Sequence, residues 1–304
     1  MPRYSISQPV RQVEAPRLLM GKGRYAGDVF LDRQAHAVFL RSPHAHADIV
    51  KIDTTAARAM PGVIDILTGE DYAADGLGGL TGISPAKRRD GSPMFRPPRP
   101  ALTKDRVRHI GQAVAVVIAE SVNQGKDAAE AIEVEYNILP ANVSTAKANQ
   151  PGSGVVWPQA PDNIAAETRH GDADKTAAAF AKAAHVTHLK LHNQRLMAFA
   201  LEPRASMAQF EAGRWTLHTQ SQQPTGTRDL LAAVFKTKPE DFRVMVGDMG
   251  GGFGMKTGLY PEDAVLCFAA RQLARAVRWR ADRSEEFLAG HMGRDQHFDA
   301  AMAL

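Results

Sequence analysis

Apolar and polar positions along the first 140 residues fall into short runs that predict alternating strands and short helices. Residues 36–40 and 63–67 read as strands, and residues 53–60 between them as a capped helical turn stopped by Pro61 and Gly62. Residues 113–119 are apolar at every position, the pattern of a strand covered on both faces. A helix follows over about 123–131. Residues 132–138 then alternate strictly, which sends Glu133 and Glu135 to the solvent face. These elements predict one α/β domain over residues 1–139, carrying a long loop at 73–108. That loop is rich in Gly, Pro and Arg and includes Lys87-Arg88-Arg89. It is expected to be solvated, and it is the first place to look for a partner subunit.

Residues 140–165 have weak periodicity and read as a linker. Beyond it, residues 166–304 predict a second, α+β domain. Asp172 caps an alanine-rich helix running to about residue 184. Strands are expected at 185–193, 206–210 and 214–220, with Glu211-Ala212-Gly213 as a hairpin turn, and residues 227–235 are helical. The pattern closes with a strand at 242–246, a glycine-rich loop from Gly247 to Gly258, and a helix beginning at Pro261. The fold class is therefore mixed, α/β followed by α+β.

Strand, glycine loop and helix form an anion-cradling order. Backbone without side chains at Gly250, Gly251, Gly252 and Gly254 can approach a ligand and aim N–H groups at its oxygens, and Lys256 could add charge. Two familiar phosphate loops are excluded. A Walker A loop would place glycine immediately before the lysine, where Met255 stands. The dinucleotide fingerprint read from Gly250 ends on Met255, and from Gly252 on Thr257.

Composition narrows the picture little. With 44% hydrophobic and 23% charged residues in 304, the chain is an ordinary globule large enough for two modest cores. A net charge of +4 over that length describes a mildly basic surface and not a nucleic-acid binder. No window is apolar over a membrane's width, and residues 1–6 lack the apolar core of a signal peptide, so a cytoplasmic protein is expected. Cys267 is the single cysteine, which precludes an internal disulfide, an iron–sulfur cluster or a cysteine-rich zinc site within the chain. It is placed opposite the apolar arc of its helix, near Arg271 and Arg278. His44 and His46 are expected to share a strand face, as are His188 and His192, but neither pair has a third ligand at fixed spacing, and no directly ligated metal is predicted. A Gly-x-Ser-x-Gly elbow is absent, so a Ser-His-Asp hydrolase is not indicated.

Asp-Met-Gly-Gly-Gly-Phe-Gly-Met-Lys, residues 248–256, resembles the molybdopterin-contacting loop in the large subunits of the xanthine dehydrogenase, aldehyde oxidase and carbon monoxide dehydrogenase family. Arg41-Ser42-Pro43-His44, Leu201-Glu202-Pro203-Arg204 and Thr219-Gln220 agree with it in order and spacing. The resemblance covers nearly the whole chain but only the front part of a normal family subunit. It implies a hammerhead-type domain followed by the first part of a molybdopterin-binding domain. It also implies that Gln220, Gly250, Gly251, Gly252, Phe253 and Gly254 contact the cofactor, with Gln220 and Phe253 beside the molybdenum. Lys256 matches the family lysine, but Met255 and Thr257 depart from the xanthine and aldehyde branches, and Thr257 replaces a substrate-facing glutamate, which argues against xanthine. The family's general-base glutamate has no counterpart in these residues, so no catalytic residue is assigned. The implied cofactor is molybdopterin cytosine dinucleotide. The implied partners are a chain carrying the rest of the molybdopterin domain and subunits bearing iron–sulfur clusters and FAD. The rival expectation is a truncated, inactive fragment serving at most in subunit assembly.

Overall fold

The computed structural model describes residues 11–82, 84–97 and 99–304; the reading of residues 1–6 lies outside them. Its strands are β1 (Ala35–Arg41), β2 (Ala47–Asp53), β3 (Val63–Thr68), β4 (Arg106–Val107), β5 (Ala113–Ala119), β6 (Glu133–Ile138), β7 (Val186–Asn193), β8 (Leu196–Met197), β9 (Ala205–Glu211), β10 (Arg214–His218), β11 (Phe242–Met245), β12 (Val277–Arg280), β13 (Met292–Gly293) and β14 (Gln296–Ala303). The helices are α1 (Ala15–Leu19), α2 (Thr55–Arg58), α3 (Gly69–Ala74), α4 (Val122–Glu130), α5 (Ala173–Lys182), α6 (Pro224–Phe235), α7 (Pro261–Leu273) and α8 (Arg283–Ala289). Among the described residues no helix is long and apolar enough to cross a membrane.

One seven-stranded sheet, in the order β11-β10-β9-β12-β1-β5-β3, takes strands from both halves of the sequence. The halves meet where β1 runs parallel to β12, pairing Ala35 with Val277 and His36 with Arg278. The uninterrupted apolar run of β5 has a direct cause. Val116 and Ile118 enter the main core with Phe268 and Trp279, whereas Ala115, Val117 and Ala119 enter a second core beside Ala128 and Ile132. Alternate side chains thus meet apolar partners on both faces of the sheet. A smaller sheet, β4-β2-β6, carries Glu133 and Glu135 on its wet side, as the alternation predicted.

Helix α7 is the hub of the main core. Every residue from Glu262 to Ala270 is buried, Cys267 included, so this stretch of the helix has no solvent side and the expected placement of Cys267 opposite an apolar arc is corrected. Trp215 Nε1 donates to the Cys267 carbonyl at 3.0 Å, and burial raises the thiol well above its ordinary range. Such a thiol is inert.

The 73–108 loop is largely irregular, yet it is not simply solvated. Leu80, Ala101 and Leu102 are core residues, and the loop is tied to the linker and the residues just after it: Phe95 N donates to Ala165 O at 2.8 Å and Glu167 N to Lys87 O at 2.9 Å. Trp157 of the linker lies 3.6 Å beneath the Arg108 guanidinium. Between these anchors most described residues from 81 to 93, Lys87 and Arg89 included, remain exposed.

Candidate cofactor site

Helix α6 begins at Pro224, three residues earlier than the pattern predicts, because proline fits the first helical turn without needing an N–H partner. The segment from Thr219 to Gln223 is consequently drawn tight between β10 and α6. Thr219 N donates to Met245 O at 3.0 Å, and Gln222 N to Lys256 O at 2.8 Å. The Gln220 amide is not freed into a turn. Its Nε2 donates to Pro203 O at 3.0 Å, while its Oε1 is buried and unpaired among the described residues. The small cavity at Gln220, about 10 Å³, is also lined by Arg204, Ser206, Thr219 and Tyr260, and by none of the five residues from Gly250 to Gly254.

The glycine loop is fastened from behind by two side chains. Glu202 Oε2 accepts from Gly250 N at 2.7 Å, and Gln222 Oε1 accepts from Gly254 N at 3.0 Å. A Cβ at Gly250 would fall 2.5 Å from the Glu202 Cβ, so only glycine allows this approach. Gly254 has φ +87°, a left-handed conformation that favours glycine. Among the described residues the N–H groups of Gly251, Gly252 and Phe253 have no partner, and the Phe253 side chain is 76% exposed. At its start, the loop is tied by Asp248 to Arg17 through two bonds of 2.5 and 2.6 Å. Gln220 and the loop are therefore held on one support: Pro203 carries the first and the adjacent Glu202 the second.

Two expectations about charge are corrected. Lys256 is fully buried and turned away from any ligand, donating to Glu202 O at 3.0 Å and Glu202 Oε2 at 3.1 Å. Burial pulls its pKa down, and Glu202 opposes that fall. The N-terminus of α7 offers no anion site either. A 3₁₀ turn, Met255–Thr257, separates it from the loop, and its own Glu262 and Asp263 occupy its first turn, 1% and 5% exposed. The histidine pairs also differ from expectation. His44 and His46 lie in the connection between β1 and β2, not on a strand: His44 packs edge-on against Tyr136, and His46 Nδ1 lies 2.7 Å from Pro140 O.

Beneath the loop is a buried charge network to which sequence reasoning assigned no role. Arg204 bridges Glu262 at 2.9 Å and Glu286 at 3.3 Å, and Arg41 bridges Glu262 at 2.6 Å and Glu285 at 2.7 Å. Burial opposes the charge on Arg204, but Glu262 and Glu286 outweigh it and hold the guanidinium above its ordinary value. Likewise, burial would raise Glu262, yet Arg204 and Arg41 bring it down to about 2. Asp263 accepts from Ser206 at 2.6 Å and Thr219 at 2.9 Å, which ties the strand end before Gln220 to α7.

On the other flank of the motif, a cavity of about 580 Å³ is lined by Thr257, Gly258, Leu259, Leu230, Arg99 and His291, among others. His291 stacks on Tyr260 at 4.1 Å. Burial, with Arg99 and Arg204 adding to it, lowers its imidazole from 6.5 to about 4. The unfolded chain therefore binds this proton before the folded one does, so the contribution to stability is full above about 6.5 and is lost as pH falls toward 4. Thermal melts from pH 7 to pH 4 should show that decline, and His291→Gln should flatten this part of the profile. An unchanged slope in the variant would refute the assignment.

Comparison with known proteins places these motifs. Residues 20–140 match the family model described as the aldehyde oxidase and xanthine dehydrogenase a/b hammerhead domain, and residues 156–304 the one described as the molybdopterin cofactor-binding domain. The chain belongs to the aldehyde oxidase and xanthine dehydrogenase family. Within this family, it is 35% identical over 301 residues to the nicotine 6-hydroxylase large subunit of Paenarthrobacter nicotinovorans, covering 97% of this chain and 35% of that one. It is 31% identical to the carbon monoxide dehydrogenase large chain of Hydrogenophaga pseudoflava, covering 95% and 36%. The crystal structure of quinoline 2-oxidoreductase from Pseudomonas putida 86 superposes with a TM-score of 0.88 at 34% identity, covering 97% of this chain and 37% of that one. The chain thus spans about a third of the length of these family members.

Glu202 and Gln222 are the residues at the glycine loop that sequence reasoning missed. Glu202 stands inside a quoted motif, but nothing in the residues announces that it reaches Gly250, 48 positions later.

Proposed function

We propose that residues around Gln220 and Gly250–Gly254 form one wall of the molybdopterin pocket of a molybdenum hydroxylase, and that this chain acts as part of its large subunit. The observation that carries the reading is the row of unpartnered N–H groups at Gly251, Gly252 and Phe253, on the same support as the buried, unpaired Oε1 of Gln220. Buried polar atoms without partners are uncommon, and Gln220 Oε1 is one of them. When bound, the cofactor, in its cytosine dinucleotide form, supplies oxidative hydroxylation of a substrate carbon with water as the oxygen source.

The work of this chain is to bind and orient. Loop N–H groups at Gly251, Gly252 and Phe253 would hold the cofactor's oxygens, Gln220 would orient a neighbouring polar group, and Glu202 with Gln222 holds the loop's shape. Proton transfer is assigned elsewhere. Glu262, Glu285, Glu286 and Asp263 are committed to cations or to hydroxyls, and Glu202 is held through Oε2 by Lys256 and Gly250 N. Electrons would leave through partner subunits bearing iron–sulfur clusters and FAD, in a cytoplasmic complex. A further polypeptide segment carrying the rest of the molybdopterin domain fits the ribbon of β7 and β14. There Leu191 pairs with Phe298 and Thr187 with Met302, and Leu189, Leu191, Phe298 and Met302 are about half exposed on a single face.

The test is to co-express the chain with its adjacent reading frames in a host that makes the cofactor, and to measure molybdenum and released cytidine nucleotide in the purified complex. Both should co-purify, and Gln220→Ala should lower molybdenum content or turnover by about tenfold or more without loss of assembly. A complex that assembles fully without molybdenum would overturn this reading in favour of a fragment that serves assembly alone.

A further inference from the structure

We propose that His192, Asp295 and His297 form a binding site for a divalent first-row cation of the zinc class. Among the described residues this is the one group of three or more histidine, cysteine or acidic side chains whose ligating atoms all lie within 4.8 Å of one another. The pattern along β7 expected His192 to share a strand face with His188 and to lack a third ligand. The missing ligands come from about 100 residues farther on, through the antiparallel pairing of β7 with β14.

The register places His192 directly opposite His297, and the two imidazoles stack at 4.2 Å with 6° between their planes. Asp295 Oδ1 is 3.6 Å from His192 Nε2, too long for a hydrogen bond. Its side chain is only 19% exposed, and its carbonyl accepts from Thr145 Oγ1 at 3.1 Å, so the carboxylate is carried by a backbone position tied to the linker. Tetrahedral zinc with bonds of ~2.0–2.1 Å sets neighbouring ligand atoms about 3.3 Å apart. The ligating atoms lie within 4.8 Å of one another, and the two imidazoles that would close on a cation belong to exposed side chains. Two imidazoles and one carboxylate suit Zn²⁺, Co²⁺ or Fe²⁺ and not Mg²⁺ or Ca²⁺, which take oxygen ligands.

The site is independent of the molybdopterin pocket and sits on the opposite face of the ribbon from its apolar side chains. His188, Lys190, His192, His297 and Asp299 share the polar face, so covering the apolar one leaves the site open. A cation here would clip β7 to β14 at the end of the ribbon nearest the linker.

Titration of the purified chain with Co²⁺, followed by its visible absorption, and with Zn²⁺ by calorimetry, tests the proposal. One equivalent should bind in the micromolar range, with the Co²⁺ spectrum of a four- or five-coordinate site, and Zn²⁺ should raise the melting temperature. His192→Ala, Asp295→Asn and His297→Gln should each weaken binding by at least about tenfold, while His188→Gln on the same face should leave it unchanged. Should His192→Ala fail to fold, the His297→Gln titration and the wild-type Co²⁺ spectrum decide. Absence of one-to-one binding below millimolar metal, or variants that bind like the wild type, would overturn the site.

Discussion

Arg204→Met is expected to destabilise the protein by about 3–5 kcal/mol, the cost of removing one partner from a buried ion network and leaving the others uncompensated. Arg204 is 4% exposed, Glu286 0% and Glu262 1%, so neither carboxylate can turn to water when the guanidinium is lost. Glu262 keeps Arg41 at 2.6 Å, whereas Glu286 loses its cationic partner. The guanidinium also lies 3.8 Å above the Tyr260 ring, a contact that methionine retains only as packing. Urea denaturation should record the loss as a lower midpoint, and Glu286→Gln in the Arg204→Met background should recover part of it. A shift of less than about 1 kcal/mol would mean that water or a neighbouring cation replaces Arg204, contrary to the burial seen here.

Glu202→Ala should produce the second large effect, about 3 kcal/mol, because it strands the fully buried ammonium of Lys256. This variant separates two roles. Stability depends on the ion pair, so Lys256→Met in the same background should restore most of it. The shape of the glycine loop depends on the bond from Gly250 N to Glu202 Oε2, which the second change does not rebuild. Amide hydrogen exchange at Gly250 should therefore remain fast in the double variant after its melting temperature has recovered. If exchange slows again together with stability, the loop is held by general packing and Glu202 has no specific part in it.

Much of the fold is legible in the residues because the relevant forces are local. The seven apolar positions of β5, the alternation in β6 and the Ala212-Gly213 turn each predict the element found, since side-chain direction follows a period of two and turn geometry follows residues able to adopt positive φ. Strand β12 was not legible. Its four residues, Val277–Arg280, alternate apolar residues with arginine, too short a run to stand out, yet they occupy the middle of the sheet and join its two halves. Strand β14 was missed too, and its pairing with β7 is what brings His297 to His192. Both cases share one cause: a strand's place in a sheet depends on partners distant in sequence, and nothing local encodes them.

By itself, the sequence determined the kind of elements, the position of the glycine loop and the family to which its motifs point, because all of these reside in residue order and spacing. Tertiary structure alone decided which charges are available. Lys256 reads as free charge along the chain, but in the fold it is buried and paired with Glu202, as Glu262 is with Arg204, since an ion withdrawn from water persists where another neutralises it. Polar valence is left over at the backbone of Gly251, Gly252 and Phe253, at the amide oxygen of Gln220, and at Glu202 Oε1 and Arg204 Nη2 beside them, and that remainder emerges only once the pairing of the surrounding donors and acceptors is known.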